Sequence, residues 1–252
     1  MGSEFYATLS ENFAISKILT LSNRKDRRDF IEKQLDTLGL PLGSFLTYHY
    51  TTPFPYNSLI SNAFNSSGKG RFTKPNEYDC ARSHYSIIKT CYDLGYNNCL
   101  ILEDDIRFLK DTKEFIYFIN KIPNDYDVLQ FGGFTTDRNA IEILNKYDNG
   151  EYWVKHPNIY LWNASMYALS RKGMLYYIEF MNKFFTVADM PLYKAPLNYK
   201  IINAYISTKP LVIQADKNII SSDIRSKEND NIDYNTMNVY ESRVKQEDYL
   251  NF

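Results

Sequence analysis

The first half of the chain alternates short apolar runs with longer stretches of helical period, and that rhythm restricts the fold more than any other feature. Residues 14–21 (AISKILTL) read as a buried strand. Residues 24–38 follow as a helix, with Phe30, Ile31, Gln34, Leu35 and Leu38 on one face and Gly39 as its stop. A second strand is expected over 44–50, and a long Pro-, Ser-, Asn- and Gly-rich loop over 51–76. Residues 77–95 predict a helix with Cys80, Tyr85, Ile88 and Cys91/Tyr92 on one side, punctuated by Gly95. Then come a strand (98–102), a helix (111–121) and a strand (126–131) closed by Gly132 and Gly133. Strands that alternate with helices in this way predict an α/β fold with a largely parallel sheet. The second half is more mixed. Short, antiparallel strands are expected within 151–169, a helix over 171–183 capped by Ser170, and two last strands at 203–207 and 211–214. From Arg225 on, the chain is polar and Asn-rich, with six Asp/Glu against four Lys/Arg, and predicts a partly ordered tail.

The chemistry concentrates where the strand 98–102 ends. There Leu100, Ile101 and Leu102 run straight into Glu103, Asp104 and Asp105. In open α/β sheets, ligands bind at the carboxyl ends of strands. Three adjacent carboxylates at such an end suit a hard divalent cation, Mn²⁺ or Mg²⁺, that bridges to phosphate oxygens. The plainer alternative is a solvated acidic turn. Arg24, Arg27 and Arg28 follow the first strand, at another carboxyl end. They read either as forks for phosphate or as a solvated helix face paired with Asp26 and Asp29. Gly132 and Gly133 leave room for a ligand against the backbone, or form a plain turn. His84 lies on the helix before the acidic strand, as a functional or a satisfied, half-buried histidine.

Composition removes several classes. Lys+Arg is 29 and Asp+Glu is 30, a net charge of −1, so no broad basic surface is available for nucleic acid. The three cysteines, Cys80, Cys91 and Cys99, form no C-x-x-C pair and read as small buried hydrophobes in a reducing compartment. No two histidines have metal-ligand spacing, so a zinc site is not expected. Neither phosphate-loop motif nor a G-x-S-x-G elbow occurs. No stretch approaches the roughly 20 apolar residues of a membrane span. Residues 1–13 begin with MGSEF and are set aside as a tag or flexible N-terminus. This leaves 14–224 as one domain and 225–252 as the tail.

The order of the motifs resembles glycosyltransferase family 25, the lipooligosaccharide-type enzymes related to procollagen galactosyltransferases. KILTLSNRKDRRDFIEKQL (17–35) resembles the family's opening strand and arginine-rich helix start. NEYDCARSHYSIIK (76–89) is similar to its Gly-Glu-x-Gly-Cys-x-x-Ser-His segment. Glu77, Cys80, Ser83 and His84 match, and Asn76 and Asp79 replace the glycines. CLILEDDI (99–106) resembles the acidic metal motif. MYALSRKGMLYYIEF (166–180) resembles the Tyr-x-x-Ser-Arg-x-Gly block, ADMPL (188–192) the Asp-x-x-Leu segment, and PLVIQADKNIISSDI (210–224) the closing Gln and Ser-Asp-Ile.

The resemblance implies a GT-A-type nucleotide-sugar-binding fold. It implies transfer of a sugar, galactose most commonly, from a UDP-sugar to a glycan or glycolipid acceptor with inversion. Asp105 and Glu103 would hold the Mn²⁺. Leu21, Asn23, Arg24, Arg28, Ser83, His84, Glu103, Asp104, Gly132 and Gly133 would line the donor site. Inversion needs a base behind the anomeric carbon; Asp189 is the first choice and Asp223 the reserve. Tyr160, Trp162 and Tyr167 are candidates to stack on acceptor sugar or to fill the core. The expected setting is cytoplasmic, with at most peripheral contact with the inner face of the membrane and no nucleic-acid partner. Two other readings compete: a degenerate, glycosyltransferase-like sugar or nucleotide binder, and a metal-dependent nucleotidyltransferase.

Overall fold

The computed structural model describes residues 2–52, 75–133, 151–156, 162, 164–192, 201–215, 248 and 250. Most of the expected loop 51–76, most of the polar tail, Tyr160 and Asp223 lie outside the described residues. The strands are β1 (Ser16–Leu21), β2 (Leu46–Thr51), β3 (Asn98–Glu103), β4 (Ile106–Phe108), β5 (Val128–Gln130), β6 (Trp153–Lys155), β7 (Met166–Ser170), β8 (Ala204–Ser207) and β9 (Val212–Gln214). The helices, numbered in chain order, are α1 (Gly2–Asn12), α2 (Lys25–Leu38), α3 (Pro75–Asp93), α4 (Thr112–Asn120) and α5 (Arg171–Phe184).

Seven strands form one sheet in the order β2-β1-β3-β7-β5-β8-β6, and β4 pairs with β9 in a small antiparallel ribbon. In the large sheet only β7 and β6 run against the rest: β7 is antiparallel to β3 and β5, and β6 to β8. The architecture is α/β with a mostly parallel central sheet, as the alternating pattern predicts.

Both faces of the sheet are covered, which explains why β3 reads as a continuous apolar run. Leu100 and Leu102 point toward α1, α2 and α4, with Ile31, Leu35, Phe115 and Phe118. Cys99 and Ile101 point the other way, toward α3 and α5, with Ile88, Cys91, Met174 and Tyr177. Gly39 ends α2 with φ 64°, a left-handed conformation that glycine adopts without strain. Ser170 caps α5 by accepting from the Gly173 N–H at 3.1 Å, worth about 1 kcal/mol.

The N-terminal residues depart from the expectation of a tag or flexible segment. Residues 2–12 are helical; Phe5 is 0% exposed and packs on Phe115 with ring centroids 5.0 Å apart. The charged and small residues at the start hide an amphipathic stripe, Phe5-Leu9-Phe13, that covers one edge of the core. The far end of the chain also docks. Lys110 donates to the Asp248 carbonyl, Arg107 donates to the Leu250 carbonyl, and the Leu250 side chain is buried. Among the described residues, no helix is long and apolar enough to cross a membrane.

Candidate active site

β3 delivers Glu103 to the carboxyl end of the sheet, and the turn into β4 carries Asp104 and Asp105. This turn is not a solvated one. Asp104 is 3% exposed and Asp105 5%. The positive charge among them comes first from the chain itself. Arg27, in the first turn of α2, places Nη1 3.1 Å from Asp104 Oδ1 and 3.2 Å from Asp105 Oδ2. Gln214 at the end of β9 also donates to Asp105 Oδ2, at 3.2 Å, and the Ala215 N–H donates to the Asp105 carbonyl. β9 therefore holds the acidic turn from the far side.

Among the described residues, one guanidinium faces these carboxyl groups. Burial, and then the neighbouring Asp105 charge, push Asp104 up to about 7 despite Arg27. Carboxyl oxygens are what a hard divalent ion takes, and Glu103 and Asp105 suit one by donor type; among the described residues, though, the three carboxyl groups do not all converge at ligand distance, and the set that does is Cys80, His84 and Glu103. The raised value also has a stability consequence. The folded state holds the Asp104 proton up to about 7, whereas the unfolded chain releases it near 3.8. Stability without added cation should therefore fall as pH rises through that window and level off above it. Asp104→Asn should flatten the decline in denaturant titrations run across this pH range; an unchanged slope would mean another group is responsible.

The cleft above the acidic turn measures about 180 Å³. Six of the expected donor and metal residues line it: Leu21, Asn23, Ser83, Glu103, Asp104 and Asp105. Arg24, Arg28, His84, Gly132 and Gly133 do not. Arg24 pairs with Asp26 at 2.7 Å, and that bond holds the Asp26 carboxyl below its usual range. Arg28 donates to the Leu21 and Ser22 carbonyls and lies over the Tyr50 ring. Gly132 lacks a side chain for the chain's own sake: a Cβ there would collide with the Val212 carbonyl of β9. Gly133 is buried beside it.

His84 is 0% exposed, so it does not face the cleft. It sits on the stripe Cys80-His84-Ile87/Ile88-Cys91, one position off the expected Tyr85 face, because His84, Ile87, Ile88 and Cys91 are buried against the sheet. Its Nδ1 meets the Tyr167 hydroxyl at 2.7 Å and its Nε2 meets Glu103 Oε1 at 3.1 Å. Tyr167 is likewise 0% exposed and is a core residue, not a sugar-stacking one. Cys80 lies one helical turn before His84, lines the cleft and approaches Glu103 Oε1 at 4.0 Å. Burial and the charges of Glu103, Asp189 and Asp105 hold its thiol well above the usual range.

That influence brings Asp189 into the same neighbourhood. Its charge acts on both Cys80 and Tyr177. Tyr177 in turn donates to the Ala188 carbonyl at 2.9 Å and fixes the backbone beside Asp189. Arg27 is the site residue that the sequence reading passed over for a defined role. A signal for it was present: extending the buried face Phe30/Ile31-Gln34-Leu38 back by one turn lands on position 27.

The profile of the family described as glycosyltransferase family 25 (LPS biosynthesis protein) matches residues 11–192. Three solved structures resemble the chain in outline. A glycosyltransferase involved in glycosylation of the major capsid of PBCV-1 aligns at 11% identity and TM-score 0.40, over 76% of this chain and 80% of its own. Mouse xyloside xylosyltransferase 1 aligns at 8% and 0.35, over 79% and 77%. The galactosyltransferase LgtC, in complex with donor and acceptor sugar analogues, aligns at 11% and 0.33, over 71% and 70%. No curated protein matches the chain.

Proposed function

The chain belongs to glycosyltransferase family 25, and on that premise we propose that it moves a sugar, galactose by preference, from a UDP-sugar to a glycan or glycolipid acceptor with inversion. The observation that carries this reading is the buried acidic turn at the carboxyl end of β3, opening into a cleft. A sugar binder without chemistry has little use for three carboxyl groups that repel one another. A two-metal nucleotidyl transfer would call for a second carboxylate cluster; among the described residues the converging donors are Cys80, His84 and Glu103, a set with a single carboxylate.

Glu103 and Asp105 would hold a divalent cation, Mn²⁺ or Mg²⁺. When bound, it offsets the charge that develops on the departing diphosphate. Leu21 and Asn23, from the end of β1, and Ser83, from α3, border the space left for the nucleotide. Arg27 holds Asp104 and Asp105 in place. Asp189 takes the proton from the acceptor hydroxyl as that oxygen attacks the anomeric carbon from behind, with Asp223 in reserve. The transition state has oxocarbenium character, as in glycoside hydrolysis. The same reading sets the reaction in the cytoplasm, and the three free cysteines support it.

Thermal-shift titration tests the donor assignment. UDP with Mn²⁺ should raise the midpoint more than UDP alone, and Asp105→Asn should abolish the difference. Stabilisation by GDP, CMP or dTDP instead of UDP would replace the donor. Equal stabilisation by UDP with and without Mn²⁺ would remove the metal from the reading.

A further inference from the structure

We propose that Cys80, His84 and Glu103 form a second cation site, selective for a borderline-soft ion of the Zn²⁺ class, whose occupancy withdraws Glu103 from the acidic turn. The three donor atoms come from one turn of α3 and the end of β3 and lie within 4.8 Å of one another. His84 Nε2 and Cys80 Sγ stand 3.1 and 4.0 Å from the same Glu103 oxygen. Around a tetrahedral zinc, with bonds of about 2.0–2.3 Å, neighbouring donors sit roughly 3.3–3.6 Å apart. The set closes with a side-chain movement of about 1 Å at Cys80. Cys80 and Glu103 both line the cleft, which supplies an entry path and room for a fourth ligand.

The surroundings match a metal site as well as the donors do. A ligating histidine usually hydrogen-bonds a fixed partner through its other nitrogen, and His84 Nδ1 meets the buried Tyr167 hydroxyl at 2.7 Å. When His84 Nε2 ligates, the imidazole proton resides on Nδ1 and is donated to the Tyr167 oxygen. The imidazole stays neutral, and the thiol proton is the one released. Sulfur, nitrogen and a single carboxylate favour Zn²⁺ over Mn²⁺ or Mg²⁺, whereas the all-oxygen turn beside them has the opposite preference. An ion held by Cys80 and His84 sits on Glu103 Oε1, and a second divalent ion on the other oxygen of the same carboxylate would be repelled at close range, so the two ions compete. This regulatory half rests on the role assigned to Glu103 above; the existence of the site does not.

Co²⁺, which takes zinc sites and reports thiolate ligation by a near-ultraviolet charge-transfer band, is the probe. The full chain should show that band saturating at one equivalent. Cys80→Ser should abolish it, Tyr167→Phe should weaken Co²⁺ binding by roughly 10–100-fold, and Asp105→Asn should leave it intact. No band, or a band that survives Cys80→Ser, overturns the site. Zn²⁺ at one equivalent should cancel the Mn²⁺-dependent stabilisation by UDP in the unmodified protein but not in Cys80→Ser; equal sensitivity of both overturns the competition. Should UDP with Mn²⁺ give no stabilisation at all, the donor reading fails, while the cobalt band still decides the site.

Discussion

Replacing Arg27 by alanine should destabilise the cation-free protein by about 3–5 kcal/mol, the usual cost of removing one partner from a buried ion pair. At this chain length each kcal/mol is worth roughly 2–4 °C, so the midpoint should drop by about 10 °C. The loss is large because two buried carboxyl groups share that guanidinium, at 3.1 and 3.2 Å. It is also an effect that local rules would not foresee. A cation in the first turn of a helix opposes the macrodipole, so position 27 is unfavourable for arginine in α2 alone and favourable only against β3. Mn²⁺ should restore part of the loss, by about 2.7 kcal/mol at a hundredfold excess over its Kd. Differential scanning with and without Mn²⁺ checks both statements. A midpoint within 2 °C of the unmodified protein would show that solvent, not Arg27, compensates the acidic turn.

Asp189→Asn should lower kcat by roughly 10²–10⁴-fold, the range typical of a lost general base, while leaving stabilisation by UDP and Mn²⁺ intact. The split matters. Asp189 does not line the cleft, yet its charge reaches Cys80 at the cleft wall and the buried Tyr177. A residue so placed can serve the acceptor without holding the nucleotide. Near-normal turnover would remove Asp189 from the role and pass it to Asp223; a parallel loss of UDP binding would make Asp189 a donor residue.

Both experiments probe a site that was only partly readable from the sequence. The strand-helix alternation specified the parallel half, because strands buried on both faces need unbroken apolar runs such as Leu100-Ile101-Leu102, and their crossovers need helical period. Caps were legible for the same local reason: Gly39 and Ser170 stop and start their helices as expected. Insertion of β7 between β3 and β5 was not, since pairing order depends on contacts far apart in sequence. Nor was the helix at residues 2–12, whose apolar residues find a surface to cover only once α4 is in place.

The sequence by itself determined where the acidic turn would be, because an apolar strand running into Glu103-Asp104-Asp105 puts charge at a carboxyl end whatever surrounds it. It could not tell which groups complete the site, since side chains distant in sequence meet only after packing. Arg24 and Arg28 looked as suitable as Arg27, and the helical phase of α2 relative to β3 selected Arg27 alone. His84 looked like a donor ligand, and burial of its stripe against the sheet turned it away from the cleft and onto Glu103. Gly132 looked like space for a ligand, and the β9 backbone fills it. Local sequence sets the period of each element; only the packed sheet and helices set their relative rotation, and that rotation decides which side chains face one another.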